Sequence, residues 1–187
     1  MSKPFILLVG ASGTGKTTIA NKLHSMCGLK TLDSFTDRPP RYPEENGHIF
    51  VSKEKMDNIL HNSKIVAFTE YNRHRYCATE SQVEENDIYI IDPYGVDWFV
   101  KNYSGHKNIK LVYLKNSNSI RFNRMLDRGD SVSYASEKLE EDAVAFSIEK
   151  INHMKNLFTK GKYLFIENEN IADSLRDIYN FIKVSEA

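Results

Sequence analysis

The sequence of 187 residues has little of several features that define particular protein classes. Its two cysteines, Cys27 and Cys77, match no metal-ligand spacing and are too few for a disulfide framework. The 25 basic and 25 acidic residues cancel, so neither nucleic acid nor an anionic membrane is an expected partner. No apolar run reaches the roughly 18 residues of a membrane-spanning helix, and the opening MSKPFILLVG lacks the pattern of a signal peptide. We expect a cytoplasmic protein whose anion sites are local.

Short apolar segments alternate with longer amphipathic ones, a pattern typical of helices laid over a parallel sheet. Five segments are predicted as strands because they are apolar on both faces: 5–10, 29–33, 87–92, 110–115 and 163–167. Helices are predicted at 16–26, 95–103, 117–128, 136–158 and 171–184. The sequence therefore predicts an α/β fold with one five-stranded, mostly parallel sheet flanked by helices.

Residues 34–86 interrupt this alternation, because they are too long for a single crossover and carry strand and helix signals of their own. Ser52 suits the N-cap of a helix at 53–62, and Thr79 with Gln82 suits a capping box for another helix. We expect a single domain with a core of 1–33 and 87–187 and an inserted lobe of 34–86.

The segment from Gly10 to Thr17 fits the Walker A pattern G-x-x-x-x-G-K-[ST] and lies between a predicted strand and a predicted helix. Its glycines let backbone N–H groups surround a phosphate, Lys16 reaches the β- and γ-phosphates, and the Thr17 hydroxyl is a ligand for Mg²⁺. The candidate ATP-binding residues here are Gly10, Ser12, Gly13, Thr14, Gly15, Lys16, Thr17 and Thr18. This P-loop predicts binding of a nucleoside triphosphate.

Asp92 ends a predicted buried strand at the edge where parallel sheets bind ligands. A carboxylate at this place can hold Mg²⁺ through water, but aspartate is also a favoured helix N-cap. The stretch D-P-Y-G also fits the D-x-x-G of a GTP-hydrolysing switch, although no N-K-x-D motif follows it. The sequence therefore leaves open whether Asp92 holds Mg²⁺ or caps a helix.

A second anion site is predicted in the inserted lobe. Arg38 and Arg41 lie three residues apart in a loop that two prolines stiffen, directly after the second predicted strand. Two guanidinium groups at this spacing suit a second phosphate. Residues 70–76 add aromatic and polar side chains of the kind that bind a planar base. The pair of sites indicates an enzyme that brings two phosphorylated molecules together.

Five motifs follow one another along the chain: LVGASGTGKTT, SFTDRPPRYPEENGHIFVS, RYCAT, IIDPYGV and RMLDRGD. In order and spacing they resemble the guanylate kinases over nearly the whole chain. The resemblance implies a P-loop core, a lobe that binds a nucleoside monophosphate, and a lid at about 128–137 that closes over ATP. It also implies ATP and Mg²⁺ as cofactors and a small-molecule nucleotide as substrate.

The resemblance also implies roles for single residues. It assigns the acceptor's phosphate to four of them: Ser34, Arg38, Arg41 and Tyr76. Thr79 falls where a hydroxyl contacts guanine, Asn168 resembles a residue near the adenine of ATP, and Arg128 matches a lid arginine beside the transferred phosphoryl group. The candidate catalytic residues are Lys16, Arg38 and Arg128.

The sequence departs from the family mainly where the family reads the base. His48 stands where the family has a phosphate-binding tyrosine, and Ile90 where it has a guanine-contacting aspartate. The guanine-reading glutamate is out of register, which leaves Glu70 as the candidate. Lys138 replaces a second lid arginine and keeps its charge without the planar fork. The phosphate-handling part of the pattern is intact, and the base-reading part is weakened.

Three functions remain open on these residues. The first is phosphorylation of GMP or dGMP by ATP, and the second is the same reaction on another nucleotide or on a sugar phosphate. The third is a noncatalytic binding module of the same shape, although such modules usually lose the phosphate cradle that this chain keeps. The sequence does not indicate an oligomeric state.

Overall fold

The computed structural model of the protein describes residues 3–183 and contains two sheets. The strands of the first are β1 (Phe5–Gly10), β2 (Thr31–Leu32), β7 (Ile88–Ile90), β8 (Ile109–Lys115) and β9 (Tyr163–Glu167). Their order is β2-β7-β1-β8-β9 and every neighbouring pair is parallel. The α/β fold and the five-stranded parallel sheet predicted from the sequence are therefore confirmed.

The central strand β1 is buried along its whole length, and its alternate side chains enter two separate cores. Phe5, Leu7 and Val9 belong to one apolar cluster. Ile6 and Leu8 belong to the other, together with residues of α1 and α8. Because successive side chains of a strand point to opposite faces, helices cover the sheet on both sides, and the continuous apolar run FILLVG is explained.

Eight helices are present in the described part of the chain. They are α1 (Lys16–Cys27), α2 (Lys53–Asn62), α3 (Glu80–Glu85), α4 (Pro93–Asn102), α5 (Asn118–Asp127), α6 (Val132–Ala145), α7 (Ile148–Asn156) and α8 (Ile171–Lys183). The predicted end of the last helix, Val184, lies outside the described residues. Among residues 3–183, no helix has the length and apolar character needed to cross a membrane.

The second sheet lies in the inserted segment and has the strand order β4-β3-β6-β5. Its strands are β3 (Ser34–Thr36), β4 (His48–Phe50), β5 (Ile65–Tyr71) and β6 (His74–Thr79). The strands β5 and β6 form a hairpin whose two turn residues, Asn72 and Arg73, have positive φ angles of 50° and 62°. The separate four-stranded sheet gives the inserted lobe a framework of its own.

Both predicted caps in this lobe are present. The Ser52 side chain accepts a hydrogen bond from the Lys55 amide at 3.2 Å, and α2 has the predicted bounds. Thr79 and Gln82 form the predicted capping box at the start of α3. These caps fix where the two helices begin, and hence how the strands between them approach the core.

The predicted helix at 136–158 is instead two helices, which corrects that expectation. Phe146 leaves the helical conformation with φ −115° and ψ 37°, and the extended Ser147 is the N-cap of α7. The Phe146 ring packs against Tyr113, with ring centroids 6.4 Å apart, so the break places a half-buried aromatic side chain against the core. Upstream, α6 already begins at Val132, so most of the predicted lid segment, 128–137, is the first part of this helix.

The third strand is also shorter than predicted, because Asp92 serves as the N-cap of α4. Its side chain accepts a hydrogen bond from the Gly95 amide at 2.8 Å, and Pro93 takes the first helical position. Helix α4 therefore starts at 93 rather than 95. The second strand is likewise reduced, from the predicted 29–33 to Thr31–Leu32.

Candidate active site

The Gly-rich loop between β1 and α1 forms an open cradle. Gly13 and Gly15 have positive φ angles of 75° and 92°, which favour glycine. A Cβ on Gly13 would lie 2.5 Å from the carbonyl oxygen of Arg121, so α5 packs directly against the loop. Gly15 caps α1 without a side-chain hydrogen bond, which leaves the first N–H groups of that helix for an anion.

Lys16 lies within this cradle and bends back onto the loop. Its Nζ donates hydrogen bonds to the carbonyl oxygens of Gly10 at 2.6 Å and Ala11 at 3.0 Å. Burial lowers the pKa of Lys16 to about 8, against the attraction of Asp142, and two nearby arginines lower it further. Most of the ammonium is therefore still charged at pH 7, and a bound phosphate would stabilise that charge.

A cavity of about 540 Å³ adjoins the cradle. Its lining residues are Ser12, Gly13, Gly15, Lys16, Thr17, Thr18, Arg124, Asp127, Arg128 and Ile171. Six residues of the predicted P-loop set and the predicted lid arginine, Arg128, thus share one wall. The structure brings together most of the groups that the sequence assigned to a triphosphate; Gly10, Thr14 and Asn168 do not line this cavity.

Thr14 and Asn168 lie beneath the loop instead of on the cavity wall. The Thr14 hydroxyl donates to the Ala11 carbonyl at 2.7 Å, and Asn168 Nδ2 donates to the Thr14 carbonyl at 2.8 Å. Asn168 is fully buried, and its Oδ1 has no hydrogen-bond partner. Both side chains therefore hold the loop through hydrogen bonds to its backbone carbonyls. The contact of Asn168 with adenine stays a prediction.

The sequence analysis missed two arginines beside the cradle. Arg121 Nε donates to the Ser12 carbonyl at 2.8 Å, and Arg124 reaches the Gly13 carbonyl at 3.5 Å. The sequence could have indicated them, because residues 121, 124 and 128 have the spacing of side chains on one face of a helix. The face of α5 that turns towards the phosphate cradle is therefore lined with positive charge.

A second cavity, of about 240 Å³, lies between the lobe and the end of β7. Its lining residues are Ser34, His48, Ala67, Phe68, Thr69, Tyr71, Tyr76, Tyr89, Ile90, Ile91, Asp92 and Gly95. We call it the acceptor cavity. Because β7 and β1 are neighbouring parallel strands, this cavity and the P-loop lie at the same edge of the sheet.

The predicted phosphate ligands Ser34, His48 and Tyr76 meet in the acceptor cavity. The Ser34 hydroxyl and His48 Nδ1 are 3.0 Å apart, and the His48 ring packs edge-on against Tyr76 with centroids 5.4 Å apart. Burial, and then the charge of Arg38, lower the pKa of His48. The imidazole is therefore neutral at pH 7 and is held in place by its neighbours.

A buried carboxylate that the sequence analysis did not single out, Glu45, orients the two predicted arginines. Arg38 donates to both Glu45 oxygens at 3.1 and 2.8 Å, and its Nε donates to the Tyr76 hydroxyl at 3.1 Å. The Arg41 amide donates to Glu45 at 2.6 Å, while its guanidinium is 63% exposed. These bonds, led by those from Arg38, lower the pKa of Glu45 to about 2.

Glu70 and Thr79 are not among the residues that line the acceptor cavity, so their role in reading the base stays a prediction that this geometry does not support. Glu70 is exposed and lies opposite Arg75 in the strand register. The Arg75 side chain pairs with the buried carboxylate of Asp37. Thr79 is buried as the cap of α3 and lines a different cavity. Three of the four β5 residues that line the acceptor cavity, Ala67, Thr69 and Tyr71, alternate with Glu70 along the strand, which places the Glu70 side chain on the other face. Capping occupies the Thr79 hydroxyl.

The two predicted magnesium ligands lie in different cavities. Thr17 is exposed on the wall of the P-loop cavity, and Asp92 lines the acceptor cavity with one oxygen already used to cap α4. Across residues 3–183 there is no group of three or more histidine, cysteine or acidic side chains arranged to hold a metal. These oxygen donors fit Mg²⁺ only where phosphates and water complete its coordination.

Taken together, a parallel sheet, a glycine-rich cradle after its first strand and a lysine at the start of the next helix define a P-loop nucleotide-binding protein. A family model described as "AAA domain" matches residues 6–145. The chain belongs to this family.

Guanylate kinases are among its relatives. The one from Fusobacterium nucleatum is 25% identical over 183 residues, covering 93% of this chain and 92% of that protein. The one from Neisseria gonorrhoeae is 43% identical over 70 residues, and this match spans only 32% of its length. A crystal structure of guanylate kinase from Anaplasma phagocytophilum matches with a TM-score of 0.62 and 21% identity over 97% of this chain and 86% of that one. The resemblance to the guanylate kinases is thereby confirmed.

Two glycines of similar backbone conformation allow a matched test of the cradle. Gly28 has φ 65° with no atom near an added Cβ, whereas Gly13 faces the Arg121 carbonyl. We expect Gly28→Ala to cost about 1 to 2 kcal/mol of stability through its backbone alone. Gly13→Ala must also displace the loop, so it should weaken nucleoside triphosphate binding by more than about tenfold. Calorimetric titration with ATP, together with urea unfolding, measures both effects. Equal ATP affinities for the two variants would contradict this account.

The Glu45 cluster predicts an acid-sensitive lobe. Glu45→Gln should lower the free energy of unfolding at pH 7 by about 1 to 3 kcal/mol, because the largely buried Arg38 side chain loses its charged partner. The native pKa of about 2 lies below the ordinary 4.5. The difference from wild type should therefore be full above pH 4.5 and should shrink as the pH falls towards 2. Urea unfolding at several pH values measures it, with the exposed neighbour Glu44→Gln as control. A difference that does not change with pH would show that Glu45 acts only through packing.

Proposed function

We propose that the protein is a nucleoside monophosphate kinase that transfers the γ-phosphoryl group of ATP to GMP or dGMP. The observation that carries this proposal is the placement of two cavities, each with phosphate-binding candidates in its wall, at one edge of the sheet. One contains the P-loop and Lys16, and the other contains Ser34, His48 and Tyr76 beside Arg38. The relatives named guanylate kinase support GMP as the acceptor.

Catalysis by this site would depend on positioning and charge neutralisation. Lys16 and the loop amides would hold the β- and γ-phosphates, and Arg128 would approach the transferred group from the cavity wall. Arg38 and Arg41 would hold the acceptor's phosphate, with Glu45 fixing the orientation of Arg38. No general base is needed, because the acceptor's phosphate is already an anionic nucleophile.

Mg²⁺ enters this proposal as a companion of the nucleotide. Thr17 and Asp92 are the residues that would hold it, Thr17 directly and Asp92 through water. When bound, it would neutralise charge on the transferred phosphoryl group. Closure of the segment around Arg128 would exclude water from the site and so limit wasteful hydrolysis.

A second acceptor class is favoured by the wall of the acceptor cavity. Asp92 is the one acidic side chain among the residues that line it, and Ile90, Ala67 and Phe68 make much of the wall apolar. Guanine presents a donor edge that a carboxylate would satisfy, and Glu70 does not reach it. A different nucleotide or a sugar phosphate is therefore the alternative acceptor, with the same transfer chemistry.

Substrate choice follows from an assay of ADP formation with ATP and Mg²⁺. The panel contains GMP, dGMP, AMP, CMP, UMP, dTMP and a phosphorylated sugar. We expect GMP or dGMP to be preferred by at least about a hundredfold, which is ~2.7 kcal/mol of discrimination. Activity on another acceptor alone would favour the second class, and no turnover on any of them would favour a noncatalytic module.

Lys16→Ala tests whether turnover belongs to this cradle. We expect the variant to lose more than about a hundredfold in kcat while it remains folded, because the charge on the transferred group is no longer neutralised. Lys22→Ala is the matched control, since Lys22 is exposed on the same helix. Near-normal turnover by Lys16→Ala would remove Lys16 from the mechanism.

A further inference from the structure

Helix α6 touches the phosphate cradle through one buried side chain, Asp142. Its Oδ2 accepts a hydrogen bond from the backbone N–H of Ser12 at 2.7 Å and another from the guanidinium of Arg121 at 2.5 Å. The same guanidinium donates through Nε to the Ser12 carbonyl at 2.8 Å. The backbone N–H and C=O of Ser12 are thus both held by this ion pair.

The position of Ser12 gives these contacts their significance. It is the third residue of the P-loop and lines the cavity beside Lys16. The loop around it contains three glycines, which offer few side-chain contacts of their own. The side chains of Arg121 and Asp142 are only 8% and 12% exposed, so losing one partner would leave the other buried without its counter-charge.

Arg121 is in turn fixed by its own helix. It donates to the Asn118 side chain at 3.0 Å, and its backbone carbonyl is the atom that a Cβ on Gly13 would strike. Two successive residues of the P-loop, Ser12 and Gly13, are therefore shaped by contacts from α5 and α6. Neither helix belongs to the Walker A motif, which ends at Thr17.

We propose that Asp142 is a positioning residue for phosphoryl transfer, which acts with Arg121 to hold the Ser12 peptide so that the cradle keeps the shape that binds ATP. The inference rests on the proposed function, because it requires ATP in this cradle. It is carried by the distances and the burial of the ion pair. Asp142 itself does not need to touch the nucleotide.

The residue before Asp142 in α6, Glu141, makes a different contact and is therefore unsuitable as a control. Glu141 accepts a hydrogen bond from the Tyr71 hydroxyl at 2.9 Å and pairs with Lys138, whose ammonium lies 5.5 Å from the centre of the Tyr71 ring. Glu141 thus joins α6 to the acceptor cavity instead of the cradle. The exposed Glu140 has neither contact, so it supplies the control.

The test compares Asp142→Ala, Asp142→Asn and Glu140→Ala in the full-length protein. MgATP binding is measured by calorimetry without an acceptor, and the KM of the preferred acceptor is measured at saturating ATP. We expect Asp142→Ala to bind MgATP about tenfold or more weakly, because the Ser12 amide loses its buried acceptor. The acceptor KM should change less than about twofold, and the amide carbonyl of Asp142→Asn should restore part of the ATP affinity.

Each other outcome overturns the inference. ATP affinity of Asp142→Ala within twofold of Glu140→Ala would show that the Ser12 contact is not needed, with the proposed function intact. Equal losses for ATP and acceptor together with a lower melting temperature would indicate a general structural role. If Asp142→Ala does not fold, the same two measurements are made on Asp142→Asn. Weaker ATP binding with an unchanged acceptor KM would support the inference, and any other result would overturn it. If the wild-type protein does not bind MgATP, the proposed function fails as well.

Discussion

The geometry of the site depends on the burial of β1 on both faces. Because Phe5, Leu7 and Val9 enter one core and Ile6 and Leu8 enter the other, this strand can neither shift its register nor tilt without exposing apolar surface. The glycine loop follows it directly, and Asp92 follows the adjacent parallel strand β7. Two cavities therefore open at one edge of a rigid sheet, at positions that the core determines.

Charge in this molecule is organised locally, as the zero net charge requires. Around the cradle, the buried carboxylate of Asp142 lies among Lys16, two arginines of α5 (Arg121 and Arg124) and Arg128 at the end of that helix. At the acceptor cavity, Glu45 holds Arg38 in the same way. In each case a carboxylate holds a cation in one orientation, which would reduce the ordering that a bound phosphate must impose. Neutrality of the whole chain thus coexists with two local clusters of cationic side chains.

Much of the framework could be predicted because its signals are local. The strands Phe5–Gly10 and Tyr163–Glu167 and the helix Lys53–Asn62 have the predicted bounds, since each is defined by an apolar run or a cap within its own segment. The break at Phe146 was not predictable, because helical periodicity continues across it. The contact that accompanies the break is with the ring of Tyr113, which is distant in the sequence. The third strand was predicted too long because its last predicted residue, Asp92, is the N-cap of the following helix.

The candidate site divides in the same way between local and distant signals. Phosphate is bound by backbone N–H groups and by cations at fixed short spacings, so motifs alone are enough to nominate Lys16, Thr17 and Arg38 as candidates. A base is read by side chains from several strands whose faces depend on register, and here β5 turns Glu70 outwards. Asp142 accepts a hydrogen bond from Ser12, which lies 130 residues away in the sequence, and no short-range pattern predicts such a contact. The residues that shape a phosphate site are therefore harder to find from sequence than those that touch the phosphate, although the shape of the site depends on both.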